Sequence, residues 1–160
     1  MTTHQPSTPA RFDVVGIGNA LVDVLSSEPD DFLAGHGLVK GSMTLIDTDT
    51  AEALYGAMGA KTEMSGGSAA NTLSGVASFG GRAAYIGRVR DDDLGPSFGH
   101  DLRSLGVHFS DRQATDGDPT GRCMIVVTPA AQRTMDTYLG ASAALGTDDL
   151  DLDLVADAHI

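Results

Sequence analysis

The apolar positions of this chain change their spacing in a regular order. Residues 12–24, Phe-Asp-Val-Val-Gly-Ile-Gly-Asn-Ala-Leu-Val-Asp-Val, form a β-branched run containing glycines, which predicts a buried strand. Residues 29–35 predict a short helix with an acidic first turn, stopped by Gly35 and Gly37, and residues 42–46 a short strand. Asp47 then caps a helix carrying Ala51, Leu54, Tyr55 and Met58, and another helix runs through Leu73, Val76, Ala77 and Phe79 to Gly80-Gly81. A strand at 83–89, a helix from Asp91-Asp92-Asp93 through Leu94, Phe98, Leu102 and Leu105, and a strand at 107–109 continue the alternation. Strands alternating with helices predict an α/β fold on a parallel sheet of βαβ units.

After residue 110 the rhythm changes. Residues 111–121 are polar and turn-rich, and the runs 121–128 and 133–139, joined by Pro129-Ala130-Ala131-Gln132, predict a hairpin. In its second run Met135, Thr137 and Leu139 alternate with Thr134, Asp136 and Tyr138, so one face is available to line a pocket. Residues 148–155 are acidic with leucines at helical spacing, a solvated helix face, and the last residues turn back toward a strand. Residues 1–11, with Pro6 and Pro9, predict a disordered lead-in.

Composition narrows the function. A chain of 160 residues can bury one core, and its formal net charge of −12 with no basic stripe disfavours nucleic acid and anionic membranes as partners. No apolar run approaches the ~18 residues of a membrane span. The start of the chain lacks a signal-peptide pattern and there is a single cysteine, Cys123, so a cytoplasmic address is expected. Cys123 sits in the run Cys-Met-Ile-Val-Val and reads as a packed strand residue rather than a nucleophile. His4, His36, His100, His108 and His159 are scattered, so no metal site is expected.

Two stretches carry candidate chemistry. In Gly66-Gly67-Ser68-Ala69-Ala70-Asn71-Thr72 the glycines permit a tight turn and close backbone approach, and the helix that follows offers unpaired amides to a hydroxyl or phosphate oxygen. The plain alternative is a turn with Ser68 as an ordinary cap and Asn71 as a surface amide. Asn19 and Asp23 stand four residues apart, Asp23 inside Leu-Val-Asp-Val-Leu, where burial of an acid is costly unless a donor meets it. Sugar hydroxyls are suitable donors; the alternative is an exposed Asp on an extended segment. Gly16-Ile17-Gly18 also invites a dinucleotide-binding oxidoreductase, but Leu21 occupies the place of that fingerprint's third glycine or alanine.

Taken together these stretches resemble the ribokinase-like, or PfkB-type, carbohydrate and nucleoside kinases, particularly the adenosine-kinase-like branch. The resemblance runs from about residue 12 to the end and rests on Gly16-Ile17-Gly18-Asn19 with Asp23, Gly66 to Thr72, Ile86-Gly87-Arg88-Val89 with Asp91-Asp92 and Gly95, and Pro119-Thr120-Gly121 with Arg133. Arg90 and Leu73 depart from the family pattern, which has glycine and a small residue there. The resemblance implies a ribokinase-like fold with a small lid of strands, near 38–46 and 120–140 in this chain. It implies phosphoryl transfer from ATP, with Mg²⁺, to a hydroxymethyl group of a sugar or nucleoside, adenosine or a relative being the preferred guess. Asp23 and Asn19 would then bind sugar hydroxyls, Gly66, Gly67 and Asn71 would hold the sugar, and Thr44, Ile46, Met135, Thr137 and Leu139 would wall the pocket. Arg133 would reach the transferring phosphate, or else is a hairpin-tip surface arginine. The family's catalytic aspartate, in a Gly-Ala-Gly-Asp type motif, has no counterpart after residue 71, since Gly117-Asp118 lacks the paired small residues. The chain therefore reads as the N-terminal, substrate-binding part of a kinase, with the C-terminal half of the fold missing and no turnover alone. The runner-up is a non-catalytic sugar- or nucleoside-binding module. The hairpin's edge is a route to a homodimer.

Overall fold

The computed structural model describes residues 10–110 and 113–160. Most of the expected lead-in, and Asp111 and Arg112 of the polar stretch, lie outside the described residues. The run over 12–24 is two strands in different sheets, β1 at Val14–Ile17 and β2 at Leu21–Ser27. The chain changes direction at Gly18-Asn19-Ala20, where the Gly18 amide donates to the Ile86 carbonyl at 3.1 Å and the Tyr85 hydroxyl donates to the Gly18 carbonyl at 2.8 Å.

The remaining elements follow as α1 (Asp30–Gly35), β3 (Met43–Leu45), α2 (Thr48–Ala57), β4 (Lys61–Gly66), α3 (Ser68–Ser78), β5 (Ala83–Ile86), α4 (Leu94–Ser104), β6 (Val107–Phe109), β7 (Gly121–Val127), β8 (Arg133–Tyr138) and α5 (Leu152–Ala156). Strands β1, β5 and β6 form a parallel sheet in the order β1-β5-β6, the predicted βαβ half. Phe12 bridges Ala158 in parallel and the Val15 amide donates to the Ile160 carbonyl at 2.7 Å, so the last residues lie along the outer edge of β1.

The second sheet has five strands in the order β3-β8-β7-β2-β4. Its centre is β7, antiparallel to β8 and parallel to β2, which pairs antiparallel with β4 on its other side; the predicted hairpin β7–β8 closes through a turn in which the Ala131 amide donates to Thr128 and the Thr128 amide to Gln132. The hairpin has no free edge: β8 is covered by β3 and β7 by β2, so the open edges are β3 and β4. That corrects the expectation that the hairpin itself supplies an edge. Strand β4 was not predicted from its polar sequence.

One core joins the two sheets. Ala51, Leu54 and Met58 of α2 pack with Val22, Val24, Met124 and Tyr138, in the same cluster as Tyr85, Phe98, Leu102 and Phe109. The rings of Tyr85, Phe98 and Phe109 lie 5.3–5.9 Å apart in pairs, within aromatic contact range. The glycines of Gly16-Ile17-Gly18 serve this packing, since a Cβ at Gly16 would stand 2.9 Å from Leu73 and one at Gly18 would stand 2.8 Å from Ala69. Leu73 thus takes the space that Gly16 leaves. Because these glycines lead into strand β2 rather than a helix, the dinucleotide-binding alternative has no helix N-terminus to hold a pyrophosphate and is set aside.

A polar clamp fixes the two sheets at their junction. The Asp92 carboxylate accepts from the amides of Leu94, Gly95 and Thr120 at 3.1, 2.9 and 2.8 Å and from the Thr120 hydroxyl at 2.8 Å. Burial pushes its carboxyl up, but the bonds from Thr120, Gly95 and Leu94 outweigh burial and hold it below the ordinary carboxylate value. The Asp92 contribution is therefore present above about pH 4 and is lost as the pH falls through the depressed value. We expect Asp92→Ala to cost about 2–3 kcal/mol at pH 7 in urea unfolding, with a smaller difference at pH 2. An equal cost at both pH values would contradict this account.

Candidate functional site

The site forms where β2 passes the end of β4. Leu21 pairs with Gly66 and Asp23 with Met64, so Asp23 and Gly66 lie on the same face of the sheet, one pair apart along the ladder. The Asp23 carboxyl leans over Gly66 into the volume that a Cβ there would fill. Gly67, with φ of 92°, is the N-cap of α3, and a Cβ on it would stand 2.6 Å from the Asn19 carbonyl. Both glycines are thus required by close approach, Gly67 also by its left-handed backbone. Asn71 is exposed in the first turn of α3, its amide donating to the Gly67 carbonyl at 2.9 Å. Ser68 is the first helical residue rather than the cap. With the first helical hydrogen bond made by Asn71, the amides of Ser68, Ala69 and Ala70 precede the helical ladder. Asn19, Asp23, Gly66, Gly67 and Asn71 are therefore brought together.

Among the described residues no donor reaches the Asp23 carboxylate, and burial alone pushes its carboxyl above the ordinary range. A half-buried acid beside a glycine turn, with free amides nearby, can accept from hydroxyl donors.

The strand register sorts the remaining candidates by face. Asp23 pairs with Cys123, Cys123 with Thr137, and Thr137 with Leu45, a row that crosses the sheet on the Asp23 side. Met135, Ile125 and Met43 form the next row on that side, while Leu139 follows the end of β8 in helical backbone and the register assigns it no face. Thr44 pairs with Asp136 and falls on the opposite face, where it is exposed, as does Ile46, which packs against the core with α2. This corrects their placement as pocket wall: a one-residue shift turns a strand over, and Met43 and Leu45 are the β3 side chains on the Asp23 face. Arg133 is exposed on the Asp23 face, about 13 Å along β8 from Thr137 at ~3.3 Å per residue.

Sequence reasoning missed Met43, Leu45, Met64, Cys123 and Ile125 on this face. Met43, Leu45 and Met64 are 58%, 60% and 43% exposed, an apolar surface facing away from the core. Cys123 is buried as predicted, and its thiol accepts from the Thr137 hydroxyl at 3.3 Å. Burial pushes the Cys123 thiol up, which keeps it protonated and makes it a poor nucleophile.

This arrangement of a glycine-turn receptor beside a strand sheet can be compared with known proteins. Residues 41–160 match the pfkB family of carbohydrate kinases. The chain belongs to that family. The crystal structure of adenosine kinase from Sinorhizobium meliloti is 52% identical, with a TM-score of 0.86 over 93% of this chain and 46% of that one. A guanosine-inosine kinase of Escherichia coli K12 is 28% identical over 91% of this chain, and a probable fructokinase-3 of Arabidopsis thaliana 32% identical over 59%. This PfkB chain spans about a third of the length of the curated relatives it matches, 35% of the guanosine-inosine kinase. Its fold is the N-terminal part of a ribokinase-like fold.

Two outcomes follow from the geometry. Gly66→Ala should destabilise the chain by about 1–3 kcal/mol, as overpacking does, by driving the Asp23 carboxyl from its place. The raised Asp23 carboxyl means that ionisation opposes folding, so stability is lost as the pH rises from the ordinary value of about 4 through the raised one. Asp23→Asn should accordingly melt above the wild type at pH 7 and with no such advantage at pH 3; a lower melting point at pH 7 would contradict the assignment.

Proposed function

We propose that this chain is the acceptor-binding part of an ATP-dependent nucleoside kinase, with adenosine or a related ribonucleoside as the substrate. The observation that carries the proposal is the Asp23 carboxylate, placed over bare Gly66 without a protein donor. Two ribose hydroxyls could donate to it, and Asn19, Asn71 and the first-turn amides of α3 would orient the same ring. The apolar face from Met43 and Leu45 to Met135 and Thr137 supports a nucleoside over a free sugar, since a base needs apolar cover that a hexose does not. The likeness to the S. meliloti adenosine kinase supports the same substrate. In this reading the five-stranded sheet acts as the lid over the ligand, which excludes water from the acceptor hydroxyl.

ATP would supply the phosphoryl group and Mg²⁺ would offset its charge. Among the described residues no group of three or more His, Cys, Asp or Glu side chains could hold a metal ion. Arg133 would meet the phosphate only if the lid closes over the site. No described helix is long and apolar enough to cross a membrane. Edge strands β3 and β4 are the surfaces through which a lid homodimer would pair.

Calorimetry on the 160-residue chain should detect adenosine binding with a Kd of about 1 mM or tighter, weakened at least about tenfold by Asp23→Ala. Absence of binding to adenosine, guanosine and ribose alike would overturn the proposal. With ATP, Mg²⁺ and adenosine the chain alone should form no ADP, because the aspartate of the family's Gly-Ala-Gly-Asp type motif has no counterpart after residue 71; turnover would show that the chain holds its own catalytic base.

A further inference from the structure

The Gly18-Asn19-Ala20 joint is tied to β5 at both polar groups of Gly18. Its amide donates to the Ile86 carbonyl at 3.1 Å, and its carbonyl accepts from the Tyr85 hydroxyl at 2.8 Å. Tyr85 is 1% exposed, its ring packed against those of Phe98 and Phe109. Phenylalanine would keep the ring contacts; the hydroxyl adds the bond to Gly18 and fills the space beside Gly87. The joint in turn presses on the glycine turn, since the Asn19 carbonyl lies 2.6 Å from where a Gly67 Cβ would be, and Gly66 faces Asp23. A displacement of Gly18 therefore moves Asn19 against Gly67 and shifts both loops at once.

We infer that Tyr85 is a positioning residue of the ligand site, which holds the Asn19 joint and the Gly66-Gly67 turn in register through the Gly18 carbonyl. Burial pushes the Tyr85 phenol up, which keeps it a donor across the working pH range. Without the hydroxyl, the Gly18 carbonyl loses its partner beneath the joint. The inference rests on the proposed substrate only for what the loops bind; the tether itself can be read in the ligand-free chain.

The test compares Tyr85→Phe with Phe98→Leu, a core change in contact with the Tyr85 ring that removes no hydrogen bond. Amide hydrogen exchange of the ligand-free chain is the first readout. In Tyr85→Phe the Gly18 amide and the Asn71 amide, which donate to Ile86 and Gly67, should exchange about three- to tenfold faster, with a smaller change at the Leu105 amide of α4. Phe98→Leu should speed all three together. An even change in Tyr85→Phe, or none, overturns the inference. If Tyr85→Phe does not fold, the wild-type Tyr85 hydroxyl proton decides: slow exchange with a through-space contact to Gly18 supports the tether, and rapid exchange overturns it. The second readout is adenosine affinity, expected to weaken about three- to tenfold in Tyr85→Phe and to hold in Phe98→Leu. Equal affinity in both variants overturns the positioning role. A wild-type chain that binds no adenosine overturns the substrate proposal, while the exchange pattern still decides the tether.

Discussion

The placement of one carboxylate against one missing side chain governs this structure. Asp23 can lean over Gly66 only because Gly66 has no Cβ, and it stays there without a protein donor. An acid in that state costs stability, and the strands around it bear that cost: β2 is paired on both sides, to β4 and to β7. Stability is given up at the point where the proposed ligand would bind, a trade of the kind that functional sites make.

The two sheets share one core but not one set of strands, so the site depends on how they are joined. Side-chain bonds cross the junction beside each segment of the site. Tyr85 holds Gly18, Asp92 holds Thr120 at the base of β7, and Asp101 of α4 accepts from the Ser65 amide at 3.0 Å beside the glycine turn. Each ties a segment that carries site residues to the layer of β5 and α4. Such tethers fix the relative position of Asn19, Asp23 and Gly67 more firmly than loop contacts would.

Much of the fold was legible because glycines and acidic caps punctuate it. Asp47 caps α2 through the Thr50 amide, and Gly67 and Gly80 bracket α3, so those helices could be read directly. The turn at residues 129–132 likewise announced the hairpin. The break at Gly18 was hidden, because β1 and β2 are both apolar and the bonds that separate them come from Tyr85 and Ile86, 67 or more positions away. Strand β4 was hidden for the opposite reason: Lys61-Thr62-Glu63-Met64-Ser65 is polar, and its order comes from pairing with β2. Asn19, Asp23, Gly66, Gly67 and Asn71 were named from residue type and family resemblance, and the structure brings them into one place. The face of β3 was not, since Met43, Thr44 and Leu45 are all exposed and carry no burial signal. Parity there follows only from the pairing of Thr44 with Asp136.

The central claim is that the Asp23 carboxylate waits for donors that a ligand supplies. Its titration by carbon NMR, with and without saturating adenosine, tests this most directly. The account predicts a midpoint above the ordinary value of about 4 in the free chain, falling when ribose hydroxyls donate to the ionised form. An ordinary midpoint that adenosine does not move would contradict it.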